Sequence, residues 1–428
     1  MNRFFKRWIA RDNWQQPDSW SIVLLDKVAK RGSGHTPSKS YPEYWNGDIK
    51  WVSLTDSNKL DNLYIYDTNK TITPDGIANS SAVRHPAGVV ILSRDAGVGK
   101  SAITKDEMAV SQHFLAWNCG NKLDNHFLYY WLQLLKPEFE RMAVGSTIKT
   151  IGLPYFKKLQ ILLPPFSEQL AIREILTSWD KEIWAVEDAI ALKQKRKKGL
   201  MQQLLTGKVR FPEFVNSAEM VETKIGRFPA DWQLTTLQEV GSFLKGKGIP
   251  KKEVVAEGLP CIRYGEIYTV HHDYIKQFKS FIAPTSIESS QKIIQGDLLF
   301  AGSGETLTEI GKCVAYTKED EAYAGGDIVI LRTECGHTEF LGYLMNHEIV
   351  SRQKYRLGQG HSVVHIYARY LKDVSIPFPT EEEQQKIASV LKSCDEEIAL
   401  LQQKAEALRI QKKGLMQQLL TGKIRVNI

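Results

Sequence analysis

The residues with the most chemical potential lie in two glycine-rich stretches and one proline pair. Ala96-Gly97-Val98-Gly99-Lys100-Ser101 carries the glycines, lysine and serine of a phosphate-cradling loop, but Arg94 stands where that loop needs its first glycine. Phe300-Ala301-Gly302-Ser303-Gly304-Glu305-Thr306 comes closer to a loop that holds a methyl donor. Leu163-Pro164-Pro165-Phe166 has the outline of the catalytic motif that accompanies such a loop. Its first position must accept a hydrogen bond from the target amine, which leucine cannot do. The five cysteines (Cys119, Cys261, Cys313, Cys335, Cys394) form no C-x-x-C pair and read as reduced thiols. No H-E-x-x-H, nucleophile elbow or cysteine–histidine zinc spacing occurs, and His271-His272 reads as a pair of ordinary surface histidines.

The elements that must position these residues explain the two glycine stretches together. Lys197–Lys208 recurs letter for letter as Lys412–Lys423, an offset of 215. Gln169 pairs with Gln384, Ile172 with Ile387, Leu176 with Leu391 and Asp180 with Asp395 at the same offset. Gly99-Lys100 and Gly311-Lys312 match at an offset of 212, so both glycine stretches occupy one place in a duplicated unit. A shared strand–glycine turn–strand, with Gly supplying positive φ, accounts for both more simply than two unrelated nucleotide loops.

Around the identical segments, apolar residues recur at spacings of four and three: Ile172, Leu176, Trp179, Ile183, Val186 and Ile190, then Ile387, Leu391, Cys394, Ile398, Leu401, Ala405 and Leu408. That 3.5-residue period is the seam of a coiled coil. Pro164-Pro165 with Ser167, and a capping box of Thr380 with Glu383, mark the starts; Gly207 and Gly422 mark the stops. A helix of this length spans roughly 55–60 Å. The narrow, otherwise polar seam favours packing of the two copies on each other over burial of each in its own domain.

Each long helix follows a segment of strand-like runs: Ile49–Val52 and Val89–Leu92 in the first, Leu298–Phe300 and Ile328–Leu331 in the second. Each segment ends in a helical stretch (Phe127–Arg141, Phe340–Arg356), a Gly-polar loop (Gly145-Ser146-Thr147, Gly360-His361-Ser362) and a strand leading to proline. The order is an amphipathic, aromatic-rich N-terminal helical segment (1–19), a globular domain (20–164), a long helix (165–208), a linker (209–228), a second globular domain (229–378) and a second long helix (379–424). The fold class is α+β: two α/β domains separated by two long antiparallel helices, with an internal pseudo-two-fold repeat. The long helices stay alike while the globular domains keep only their frame, as expected of one scaffold carrying two different reading heads.

Composition is compatible with that layout. The chain has 428 residues, 43% hydrophobic and 25% charged, and a net charge of +7 that permits a polyanionic partner without requiring one. No apolar run approaches the length of a membrane span and Met1–Trp8 has no signal-peptide core, so a cytoplasmic protein is expected.

The tandem starts (Pro165/Glu168/Gln169 and Thr380/Glu383/Gln384), the Leu-Met-Gln-Gln-Leu-Leu-Thr-Gly-Lys ends, and Gly296-Asp297-Leu298-Leu299-Phe300 leading to Gly311-Lys312 together resemble the DNA-specificity (S) subunits of type I restriction-modification systems. The resemblance covers roughly residues 19–425, with Thr380 a departure from proline in the first copy. It implies two target-recognition domains, each reading half of a bipartite, asymmetric site in double-stranded DNA. It further implies an antiparallel coiled coil docking two methyltransferase subunits, with restriction/motor subunits joining them. No catalytic activity or cofactor belongs to the chain itself in that family; S-adenosylmethionine, ATP and Mg are expected on the partner subunits. The rival classes are a stand-alone DNA methyltransferase with its own recognition domain, and a coiled-coil scaffold that does not bind DNA. The polar and basic groups of the glycine-rich loops are the candidate DNA contacts: Lys39, Arg94, Lys100, Thr147 and Lys149 in the first head, and Lys245, Lys247, Arg263, Lys312 and His361 in the second. A basic run, Lys193, Lys195, Arg196, Lys197 and Lys198, suits the C-terminal end of the first helix, or a partner's acidic face or the DNA backbone.

Overall fold

The computed structural model describes residues 15–360 and 363–426. The expected N-terminal helical segment therefore lies outside the described residues, except that 15–19 carry no helix. The chain divides into two compact units, Met1–Glu187 with Gln403–Ile428, and Asp188–Gln402.

Each unit has an equivalent four-strand core, which contains the strand–glycine turn–strand expected from the repeat. In the first, Ala29–Ser33, Phe114–Cys119, Val90–Ser93 and Ser101–Thr104 lie side by side, all antiparallel, with Tyr64–Ile65 added in parallel at the edge. In the second, Gly241–Lys245, Ile328–Thr333, Leu298–Ala301 and Cys313–Ala315 repeat that order. Val90-Ile91-Leu92 and Leu298-Leu299-Phe300 are fully buried on both faces, which is why they read as continuous apolar runs rather than alternating ones. The units differ in their second sheets. One is four-stranded around Trp45–Val52; the other is five-stranded around Leu259–Ile262.

Helix α1 (Asn125–Met142) caps the first core, its start fixed by the Asp124 carboxylate, which accepts from the His126 and Phe127 N–H groups. The counterpart in the second unit is not one helix, as the sequence reading has it, but two: α3 (Thr338–Asn346) and α4 (Glu348–Leu357). Between them buried His347 is extended, and its Nδ1 accepts from the Ile349 N–H at 3.4 Å, so it ends one helix and starts the next. The stretch read as a linker, 209–228, is also structured, with a 3₁₀ turn at Pro212–Phe214 and the hairpin Met220–Thr223/Gly226–Pro229.

The long helices are α2 (Phe166–Leu204) and α5 (Glu381–Leu420), of 39 and 40 residues. Gly207 and Gly422 follow them at φ 66° and 68°, the left-handed stops that were expected. Within each unit the segments of the two helices run antiparallel. In the first unit Asp180 meets Lys412 (2.5 Å), Glu182 meets Lys404 (2.8 Å) and Glu187 meets Arg409. In the second, Lys193 meets Glu397 (2.6 Å) and Lys197 meets Asp395 (2.8 Å).

The seam is more varied than a uniform coiled coil. Ile172 and Leu176 belong to the first unit's main core, with Tyr130, Phe127 and the end of α5 (Met416, Leu419, Leu420). Ile387 and Leu391 belong to the second unit's core, with Leu204 and Leu205 from the end of α2. Each helix thus starts inside its own globular core, where the other's end closes over it. Ile183, Val186, Ile398 and Ala405 are buried, whereas Trp179, Ile190, Cys394, Leu401 and Leu408 are only half-buried.

Candidate nucleic-acid interface

The glycine stretches are hairpin turns. Val90–Ser93 and Ser101–Thr104 pair around the first, and Leu298–Ala301 and Cys313–Ala315 around the second. Gly99 and Gly311 have φ 87° and 68°, the left-handed region favoured by glycine, and neither turn opens a helix that could cradle a phosphate.

Each turn belongs to a set of loops fastened by equivalent backbone bonds. In the first unit the Arg94 N–H donates to the His113 carbonyl at 2.9 Å, and the Ile151 N–H to the Arg94 carbonyl at 3.0 Å. In the second the Gly302 N–H donates to the Asp327 carbonyl at 2.7 Å, and the Ile366 N–H to the Gly302 carbonyl at 2.9 Å. A finger closed by an antiparallel bridge projects beside each turn, bridged at Val144/Thr150 and at Gln359/His365, the pairs differing by 215 in number. Side-chain fasteners occupy matching places with different letters. Asp95 accepts from Thr150 and is held by His113 Nδ1 at 2.8 Å; Ser303 Oγ meets His365 Nδ1 at 3.0 Å. Burial would raise the Asp95 carboxyl, but the Thr150 and His113 hydrogen bonds and Arg94 outweigh it, leaving it below its ordinary range. Thr36 donates to Gln112, beside His113, and so joins the loop that carries Lys39 to the same face. In the second unit Tyr268, in the short helix that Arg263 begins, donates to the Ser303 carbonyl at 3.0 Å.

The candidate contacts now fall into distinct groups. Lys39, Thr147, Lys149 and Lys247 are exposed on loops, Lys245 is exposed at the end of the strand Gly241–Lys245, and Arg94 and Arg263 are half-buried. Arg94 also lies 3.5 Å from the Asp95 carboxylate. Lys100 and Lys312 are committed elsewhere. The Lys100 ammonium donates to the Ser57 carbonyl at 2.9 Å, and Lys312 to those of Tyr268 and His271 at 3.3 and 3.1 Å. Partial burial depresses the Lys312 amine. These lysines fasten neighbouring loops to the turns. His361 lies outside the described residues. His271 is not a surface histidine: it is 2% exposed, and burial with nearby Lys312 pushes its pKa down to about 4. Among the described residues no cluster of three His, Cys, Asp or Glu could hold a metal, and no helix is long and apolar enough to cross a membrane.

Sequence reasoning missed the residues that close each unit. Glu168 and Glu383, read as helix-start residues, are fully buried; the Glu383 N–H donates to Thr380 Oγ1 at 3.4 Å, as the expected capping box requires, but its carboxylate is spent elsewhere. Glu168 accepts from Trp20 Nε1 at 2.8 Å and from Arg425 at 2.6 and 2.8 Å. Glu383 accepts from Trp232 Nε1 at 3.0 Å and from Arg210 at 2.8 Å twice. A second repeated node ties α1 in the first unit and α3 in the second to the long helices: Tyr130 donates to Asp180 at 2.6 Å with Lys412 over its ring, and Tyr343 to Asp395 at 2.7 Å with Lys197 over its ring. The basic run is thus partly spent on structure, with Lys193 and Lys197 in ion pairs to α5. The signal was present: Trp20 and Trp232 sit at an offset of 212, and Arg210 and Arg425 at 215.

The comparisons with known proteins agree with this doubled frame. The family model for the type I restriction modification DNA specificity domain matches residues 17–194 and again 229–409. The chain belongs to that family. The MjaVIII specificity subunit of Methanocaldococcus jannaschii is 26% identical over 426 residues, covering 96% of this chain and 94% of that one. The EcoR124I/EcoR124II specificity subunit of Escherichia coli is 26% identical over 163 residues, 36% of this chain and 40% of that one. Among solved structures, the S subunit from M. genitalium aligns with TM-score 0.55 at 15% identity, covering 98% of both chains. A chain from a study of assembly and conformational transition in the type I system aligns with TM-score 0.58 at 17% identity, covering 96% of this chain and all of that one. The chain is a non-catalytic DNA-recognition subunit of a restriction-modification system.

Proposed function

We propose that each unit reads one half of a bipartite DNA target through its fastened loop face, and that α2 and α5 set the distance between the halves. One observation carries this reading: the two faces share their backbone fastening bond for bond, while nearly every side chain on them differs. A frame that fixes geometry and varies the letters suits two modules that dock alike and read different bases. Lys39, Lys149, Lys245 and Lys247 serve as phosphate contacts that position the duplex, and Arg94, Thr147 and Arg263 reach base edges, with His361 a further DNA contact by its place in the repeat alone. A 39-residue helix spans roughly 58 Å. That is long enough for two faces one DNA turn, about 34–36 Å, apart. The spacer is then sensed by length alone. Two methyltransferase subunits dock on the helix pair and restriction/motor subunits join them, supplying S-adenosylmethionine, ATP and Mg chemistry. Footprinting with and without the methyltransferase subunits tests this: two protected segments flanking an unread spacer support it, and one continuous protected block, or none in either mixture, overturns it.

A further inference from the structure

We infer that Ile148, at the tip of the first unit's finger, is a specificity residue that contacts the C5-methyl group of a thymine in the major groove; this rests on the DNA-reading role proposed above. The finger is rigidly based. The Val144 N–H donates to the Thr150 carbonyl at 3.0 Å and the Thr150 N–H returns to the Val144 carbonyl at 2.9 Å. Below that rung Thr150 is pinned to buried Asp95, and the Ile151 backbone to Arg94. A base fixed this firmly holds the tip in place, yet Ile148 is 57% exposed.

An exposed isoleucine alone needs no explanation. Two further observations give this one a role. Its equivalent at offset 215 is Val363, also β-branched, also apolar and 50% exposed, on a finger where Val144, Ser146, Lys149 and Thr150 give way to Gln359, His361, Val364 and His365. Its neighbours Thr147 and Lys149 are exposed and polar or cationic, and Arg94 lies at the finger's base. A partner protein's apolar surface would favour a continuous apolar patch; Val144, also exposed, lies at the finger's base in the bridge to Thr150, and within the tip, 145–149, Ile148 is the one apolar side chain, among two hydroxyls and a cation. A major-groove edge offers that mixture: phosphates at the rim, hydrogen-bonding edges on the floor, and one apolar group, the thymine methyl. Burying a methyl group gains about 0.8 kcal/mol, roughly a 4-fold effect on binding.

The test uses the full chain assembled with its methyltransferase subunits, on duplexes in which deoxyuridine replaces thymine in one half-site at a time. The wild type should lose about 4-fold affinity when the half-site read by the first unit is substituted. Ile148→Ala should bind unmodified DNA about as weakly and become indifferent to uracil in that half, while keeping its response in the other. Unchanged wild-type affinity for uracil in both halves overturns the inference and leaves bipartite reading intact. An Ile148→Ala variant that stays as uracil-sensitive as the wild type also overturns it. Loss of all sequence preference by the wild type would instead remove the DNA-reading role, and the inference with it.

Discussion

Removing Arg210 tests whether the buried clasps hold each unit closed. The Arg210 guanidinium is 8% exposed and the Glu383 carboxylate 1%. Arg210 forms two hydrogen bonds to Glu383, two to Asp231 and one to the Phe214 carbonyl. Arg210→Ala leaves Glu383 buried with Trp232 Nε1 as its remaining donor, and stranding one member of a buried pair costs about 3–5 kcal/mol. For a unit of this size that lowers the midpoint of its thermal transition by about 6–20 °C. Arg425→Ala is the internal control. Arg425 makes the same two bonds to Glu168 but is 44% exposed, so water screens the carboxylate it leaves and the cost falls to about 1–2 kcal/mol. Arg210→Lys should recover little, because an ammonium cannot make the paired bonds. Differential scanning calorimetry of the three variants decides. Equal losses for Arg210→Ala and Arg425→Ala, or a loss below about 1 kcal/mol for the first, would refute the clasp as a stabilising device.

Burial would raise the Glu168 carboxyl, but Arg425 and Trp20 outweigh it and hold it below the ordinary carboxylate range. Its contribution is therefore complete above an unfolded value of about 4.3 and is lost as pH falls through the lower folded value, so Arg425→Ala should flatten the acid limb of the stability profile in urea titrations. Lys197 bridges Asp273 and Asp395, whereas Lys412 pairs with Asp180 alone, so Lys197→Met should destabilise more than Lys412→Met, which should cost about 1–3 kcal/mol by chemical denaturation. Lys149→Ala should weaken binding to all DNA and reduce the salt slope by about one. Lys100→Met should lower thermal stability and leave that slope unchanged, because its ammonium is spent on the Ser57 carbonyl.

The duplicated parts were legible because short-range rules set them. The 3.5-residue period and the terminal glycines bounded α2 and α5 to within a few residues, and the offset of the glycine turns identified both as hairpins. What covers a stripe is a long-range fact. Ile172 and Ile387 have seam spacing, yet both lie in globular cores, because the helix starts are roofed by strands and by the other helix's end. Glu383 satisfies the local rule for a capping box with Thr380, and Glu168 stands at the matching helix start, but a guanidinium 173 and 257 residues away in the chain takes each carboxylate. The break at His347 was hidden because its neighbours keep helical apolar spacing on both sides. At the loop face, position in the repeat located the right loops but could not tell an exposed lysine such as Lys149 from one that fastens a turn, such as Lys100.

Under the proposed function, two equivalent frames with different side chains read two different half-sites. The most direct measurement is co-expression with the methyltransferase subunits followed by methylation-sensitive sequencing of host DNA. Two different reading faces should give adenine methylation within a bipartite motif whose two specified parts differ and flank a spacer of fixed length and arbitrary sequence. Methylation confined to one continuous palindrome would contradict it.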